Sequence, residues 1–188
     1  MLPSDLPNRP RVMAGGARHL EMIAEINPHL NLTRITTPRD AAIKHVLDSV
    51  LPWRLFAGAR RVMDAGTGAG FPGIPLALLF PEARFTLVES TGKKARFVES
   101  VIADLGLKNA RVVSERAEEL GKRESFDIVT ARAFAPMPKA LKLLAPTLRK
   151  GARALLYKGP DSDDGQYPVV MRYELPEGLG SRVILEIK

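Results

Sequence analysis

The chain has 188 residues, 28 of them Lys or Arg against 21 Asp or Glu for a formal charge of +7, with 45% apolar and 26% charged residues and no cysteine. That length suits one globular domain with a real core, and the missing cysteines exclude disulfides, thiolate metal sites and methyl-cysteine or thiolate-adduct catalysis. No apolar run approaches the ~20 residues of a membrane-crossing helix, and MLPSDLPNRPRVMAGG has no apolar stretch after its charges, so neither a membrane partner nor a secretory signal is expected and the protein is placed in the cytoplasm.

Residues 1–16, rich in Pro, Gly and Arg without periodicity, read as a loose arm; a helix from about Ala17 to Ile26 follows, weakened at its start by Gly15-Gly16 and stopped by Pro28. Thr37 is placed as an N-cap, with Pro38 at the first helical position and Asp40 completing a capping box. Ala42, Ile43, Val46, Leu47, Val50 and Leu51 then recur at helical spacing, so this second helix buries one face. His45, Asp48 and Ser49 form a polar stripe on it, which from spacing alone reads as its solvent face.

From Arg60 onward short β-branched runs alternate with helices. RRVMDA precedes a helix over Gly73 to Phe80, ARFTLVE one over Gly92 to Leu105, ARVV one near Glu115 to Leu120, and FDIVTA one near Pro138 to Leu148, before a fifth strand, ARALLYK. Strands joined by helices imply right-handed crossovers and a doubly wound parallel sheet. Tyr167 to Glu174 and Arg182 to Lys188 have no helix between them and are expected to pair as an antiparallel hairpin after the short acidic stretch Pro160 to Gln166. Residues 1–56 are thus an N-terminal arm and helical cap and 57–188 the core of one structural domain. Arg132, Lys139, Lys142, Arg149, Lys150, Arg153 and Lys158 fall where no acidic residue lies between Asp127 and Asp161, so a positive face suited to a polyanion is expected on the C-terminal half.

The first strand runs into DAGTGAGFPG, Asp64 to Gly73. In doubly wound sheets ligands bind beyond the carboxyl ends of the strands, where glycines at 66, 68 and 70 let the backbone approach closely. Gly68 to Gly73 also satisfies the dinucleotide G-x-G-x-x-G pattern. Asp64 inside the turn, and Pro72 and Pro75 where a pyrophosphate needs free N–H groups, favour S-adenosylmethionine instead. Glu89 ends the second strand about 20 residues later, where a carboxylate accepts both ribose hydroxyls of either cofactor. Asp127, ahead of the fourth strand, reads as a solvent-facing turn residue.

The turn after the fourth strand, Thr130 to Pro136, reads TARAFAP and carries none of the Asn/Asp-Pro-Pro acceptors that bare an exocyclic amine. An arginine and an aromatic suit a nitrogen with its own lone pair, such as guanine N7, for which catalysis is mainly proximity and alignment. His19, His29 and His45 are scattered and do not resemble a metal site; no metal is expected. Lys93, Lys94 and Arg96 open a helix whose dipole they do not favour, which suits a partner's charge or plain solvation.

Taken together, Asn31-Leu32-Thr33, His45 with Leu47-Asp48-Ser49, DAGTGAGFPGIPLA, Val88-Glu89-Ser90 with Lys93-Lys94 and Phe97, Arg116-Ala117-Glu118, Arg132-Ala133 and Lys158-Gly159 resemble, in order over roughly residues 30–160, the bacterial small-subunit ribosomal RNA guanine-N7 methyltransferases, formerly glucose-inhibited division protein B. The resemblance implies a Rossmann-like class I S-adenosylmethionine-dependent fold with a seven-stranded sheet, methylating guanine N7 of small-subunit (16S) ribosomal RNA, free or in the small subunit, as a monomer. It implies that Gly66, Gly68 and Phe71 line the methionine and adenosine parts of the cofactor, that Glu89 holds the ribose, and that Ala117 and Glu118 contact the adenine. Arg132 would sit beside the transferred methyl and the target base as the catalytic residue, with Lys93 and Lys158 on RNA phosphates and His45 on the substrate side. A methyltransferase for a small molecule or protein, and a nicotinamide-dependent oxidoreductase, are the competing readings; the basic run counts against the first, and the lack of a hydride-transfer constellation against the second.

Overall fold

The computed structural model describes residues 2–162 and 165–188; Asp163 and Asp164 of the acidic stretch lie outside the described residues. Seven strands, β1 (Arg61–Ala65), β2 (Arg84–Val88), β3 (Ala110–Val113), β4 (Ile128–Arg132), β5 (Arg153–Lys158), β6 (Val169–Glu174) and β7 (Ser181–Ile187), form one sheet in the order β3-β2-β1-β4-β5-β7-β6. The first five are parallel, and β7 runs antiparallel to both β5 and β6. This is the doubly wound, mostly parallel seven-stranded sheet with a C-terminal hairpin expected from the alternation of runs. Its order reverses between β1 and β4, the switch point at which a ligand cleft opens.

Side chains alternate across the sheet as strand geometry requires. Val62, Phe85, Leu87, Ile128 and Leu155 face a layer built by the N-terminal cap with α4 (Gly73–Leu79) and α5 (Gly92–Asp104). Met63, Val88, Val129, Ala131 and Leu156 face α6 (Ala117–Arg123) and α7 (Met137–Leu148).

The cap departs from the sequence reading. The second half of the expected loose arm and the short helix are one 22-residue helix, α1 (Arg9–Leu30), running through both Gly15-Gly16 and Pro28, while residues 2–8 stay outside it. Its glycines are contact points: a Cβ at Gly15 would stand 2.6 Å from Leu78 Cδ2, and one at Gly16 2.9 Å from Val46 Cγ1. Helix propensity is overridden because α1 must lie close against α4 and the second cap helix. Pro28 falls in the last turn, where it forgoes the bond to the Ala24 carbonyl but interrupts little helix beyond it, and Asn31 closes the helix in the left-handed conformation. The second cap helix begins as expected, Thr37 accepting the Asp40 N–H. It passes from α2 (Pro38–Ala41) through a π-helical stretch, Ala42–Leu47, into α3 (Asp48–Val50). Ile43 and Leu47 pack on Leu175 of the β6–β7 hairpin.

Candidate active site

The carboxyl ends of β1 to β5 share one edge, and each predicted site residue follows one of them or leans over them from the cap. After β1 the chain turns through Gly66, Gly68 and Gly70, with φ of 68°, 62° and 100°, conformations that L side chains resist. Thr67 N–H donates to the Val88 carbonyl at 3.0 Å, fixing the loop to the end of β2. A Cβ at Gly66 would meet the Phe134 ring at 2.6 Å and one at Gly70 would meet Ile74 and His19, so the loop is closely approached from above and below.

Asp64 is wholly buried at the base of this loop. Its Oδ2 accepts from Thr67 Oγ1 at 2.6 Å and from Gly73 N at 2.8 Å, while its Oδ1 has no hydrogen-bond donor. Desolvation pushes the carboxyl up to about 6 against the help of those donors. Glu89, 8% exposed, stands just past β2 and ties the site together: Oε2 accepts the Gly68 N–H at 3.1 Å and Oε1 the Thr91 N–H at 2.8 Å. An ionised carboxylate has about four acceptor positions, so each oxygen retains room for a ligand hydroxyl. Ala117, buried, and Glu118, half-buried, open α6 at the same edge past β3.

Arg132, the last residue of β4, is 17% exposed at its side chain and held from the cap. Its Nη1 donates to the Lys44 carbonyl at 2.8 Å and to Asp48 Oδ2 at 3.3 Å, and its Nη2 lies 3.3 Å from His45 Nδ1. His45, Asp48 and Ser49 are therefore not a solvent face: all three are buried, turned inward by the π-helical stretch. The Phe71 ring is stacked between two imidazoles, His45 at 4.7 Å and His19 at 4.5 Å, with the Arg132 guanidinium 5.3 Å from its centroid. Desolvation lowers His45 to about 3, with the neighbouring Arg132 charge adding to it, and lowers His19 to about 4, so both rings are neutral near pH 7. His19 Nε2 meets the Ala69 carbonyl at 2.7 Å, so the ring proton sits there and steadies the loop from behind.

The basic residues separate into two groups. Lys93, Arg96, Arg116 and Lys139 are exposed and lie at the carboxyl edge, in or next to the first turns of α5, α6 and α7. Arg149, Lys150 and Arg153 lie at the opposite edge, where Lys150 donates to the Lys122 carbonyl and Arg153 pairs with Glu186, so the expected single positive face is divided. Lys158 points inward, its Nζ donating to the Ala135 carbonyl at 2.9 Å, and its half-burial lowers its pKa. Asp127 accepts the Arg60 and Arg61 N–H groups, a turn role away from the cleft. His19 and the tyrosines Tyr157 and Tyr173, which donate to the Ser49 carbonyl and to Asp48 Oδ1, were not legible as site residues; no local pattern marks contacts across 50 positions for His19 and more than 100 for the tyrosines. Among the described residues no cluster of His, Asp and Glu is arranged to hold a metal ion.

The family model described as rRNA small subunit methyltransferase G matches residues 16–168. The ribosomal RNA small subunit methyltransferase G of Solibacter usitatus is 58% identical over 201 aligned positions, covering 100% of this chain and 96% of the relative. That of Lactobacillus helveticus is 38% identical, covering 89% of this chain and 69% of the relative. Among solved structures, a SAM-dependent methyltransferase from Aquifex aeolicus superposes with a TM-score of 0.58 at 17% identity, covering 84% of this chain and 97% of that one, a likeness of fold alone.

Proposed function

The chain belongs to the rRNA small subunit methyltransferase G family, and from that premise we propose that it methylates guanine N7 in small-subunit ribosomal RNA with S-adenosylmethionine as donor. The cleft fits that donor better than a dinucleotide. Asp64 Oδ2 and the prolines at 72 and 75 occupy the start of α4, where a pyrophosphate would need free N–H groups and no negative charge. The buried Asp64 carboxyl, with Oδ1 unpartnered, instead sets a negative group under the loop, which favours a cationic donor over a phosphate. In this reading Glu89 would accept ribose hydroxyls beside the glycines, Ala117 and Glu118 would flank the adenosine part, and Phe71, whose ring faces are taken by His19 and His45, would contribute only its edge and backbone. When bound, S-adenosylmethionine supplies an electrophilic sulfonium methyl.

The target atom is inferred from a single observation, the composition of the turn from Arg132 to Pro136. It presents a fixed cation and an aromatic ring and no side chain able to take a proton. Guanine N7 carries a free lone pair, so its attack removes no proton and needs no base. Arg132 donates to three acceptors here and has five N–H groups, so it keeps donors for the O6 edge of a guanine. The exposed basic rim of Lys93, Arg96, Arg116 and Lys139 favours a polyanion over a small molecule or a protein.

Incubating the protein with methyl-labelled donor and small-subunit RNA, free or in the subunit, is expected to place label in RNA. Glu89→Ala is expected to lower transfer by about 10- to 100-fold, mainly through donor affinity. Label found only in protein contradicts the reading.

A further inference from the structure

We propose that Asp48 and His45 are positioning residues that fix the Arg132 guanidinium at the reacting edge of the cleft, a role that rests on the methyl-transfer reading above. Arg132 ends β4, in register with Tyr157 of β5, and its side chain reaches across to the cap, where three acceptors converge on it: the Lys44 carbonyl, Asp48 Oδ2 and His45 Nδ1. The first is made available by the π-helical stretch. Asp48 N–H bonds the Ile43 and His45 carbonyls, passing over Lys44, whose carbonyl takes Arg132 Nη1 instead. Wide turns of this kind recur at functional sites.

The imidazole orientation follows from its neighbours. Guanidinium only donates, so His45 Nδ1 accepts, the ring proton sits on Nε2, and Nε2 donates to Thr33 Oγ1 at 3.0 Å. Burial keeps the ring neutral, as an acceptor facing a cation must be. Asp48 is fixed in turn, with Tyr173 OH donating to Oδ1 at 2.8 Å and Arg182 Nε to Oδ2 at 3.4 Å. Two arginines on one carboxylate that is 1% exposed leave one positive charge in excess, directed at the cleft. As a stabilising device this arrangement is poor, since desolvating buried ions costs about what their attraction returns. As a mount for a cation that must not swing away from a purine, it supplies three directions of restraint.

Asp48→Asn keeps the size of the side chain and removes its charge. It is expected to lower kcat on RNA by roughly 10- to 100-fold while the donor Kd moves by less than about threefold, because misplacing a reacting-edge group by about 1 Å costs that much. His45→Asn retains an acceptor at the Nδ1 position and is expected to lose less than His45→Leu, at matched melting temperature. Solvent exchange of the Arg132 guanidinium protons, followed by nuclear magnetic resonance, is expected to be slow in the unaltered protein and fast in Asp48→Asn. A folded Asp48→Asn protein with unchanged kcat, or with an Arg132 signal as protected as before, overturns the proposal. Absence of RNA methylation by the unaltered protein overturns the reaction reading alone, and the guanidinium exchange then decides the positioning role.

Discussion

Desolvation raises Asp64 to about 6 from an ordinary 3.8, even with Thr67 and Gly73 donating to its carboxylate. A raised carboxyl favours the protonated folded state, so its contribution to stability is present below about 4 and is lost as pH rises through about 6, on the order of 3 kcal/mol in all. A cationic donor bound over the loop would reverse that by favouring the carboxylate beneath it. Donor affinity is therefore expected to be full above about pH 6 and to weaken towards about tenfold per unit below it, with Asp64→Asn flattening the dependence; calorimetric titration across pH 5 to 7.5 checks this, and a flat unaltered profile contradicts it. Asp64 and Glu89 were legible because each ends a strand beside a glycine turn, where local sequence states both position and chemistry. His19 was not, because its partners Phe71 and Ala69 are brought to it only by the packing of α1 on α4.

Among the elements, the five parallel strands were legible from short apolar runs alternating with helical segments, and the hairpin from the absence of a helix between two such runs. The cap was not. Gly15, Gly16 and Pro28 are local signals against a helix, yet α1 spans all three because the glycines admit Leu78 and Val46 and the proline sits at its end. Gly15→Ala separates the two effects. Propensity alone gains about 1 kcal/mol, whereas overpacking against Leu78, which is 2% exposed and has nowhere to go, costs about 1 to 3 kcal/mol. Net destabilisation is expected in urea unfolding, and a stabilised variant contradicts the close packing. The π-helical stretch was likewise invisible, since apolar spacing at Ile43, Val46, Leu47 and Val50 is shared by ordinary and widened turns. That widening turned an expected solvent stripe into the mount for Arg132.

Across the whole molecule, net charge indicated a polyanion but not where it lies. The run of basic residues from Arg132 to Lys158 crosses the sheet, so its members part to opposite edges, and Lys158 is spent on the Ala135 carbonyl. The edge that fits RNA takes its cations from successive helix starts, Lys93 and Arg96, Arg116, and Lys139, which only the topology brings together. There the glycine loop, Glu89, Phe71 and Arg132 meet, with the cap closing one side. The most direct measurement is to digest small-subunit RNA methylated by the purified protein to nucleosides and identify the product by mass and chromatography. 7-Methylguanosine, absent without S-adenosylmethionine, is the result expected; methyl on an exocyclic amine or on ribose, or none in RNA at all, would contradict transfer to a base-free nucleophile beside Arg132.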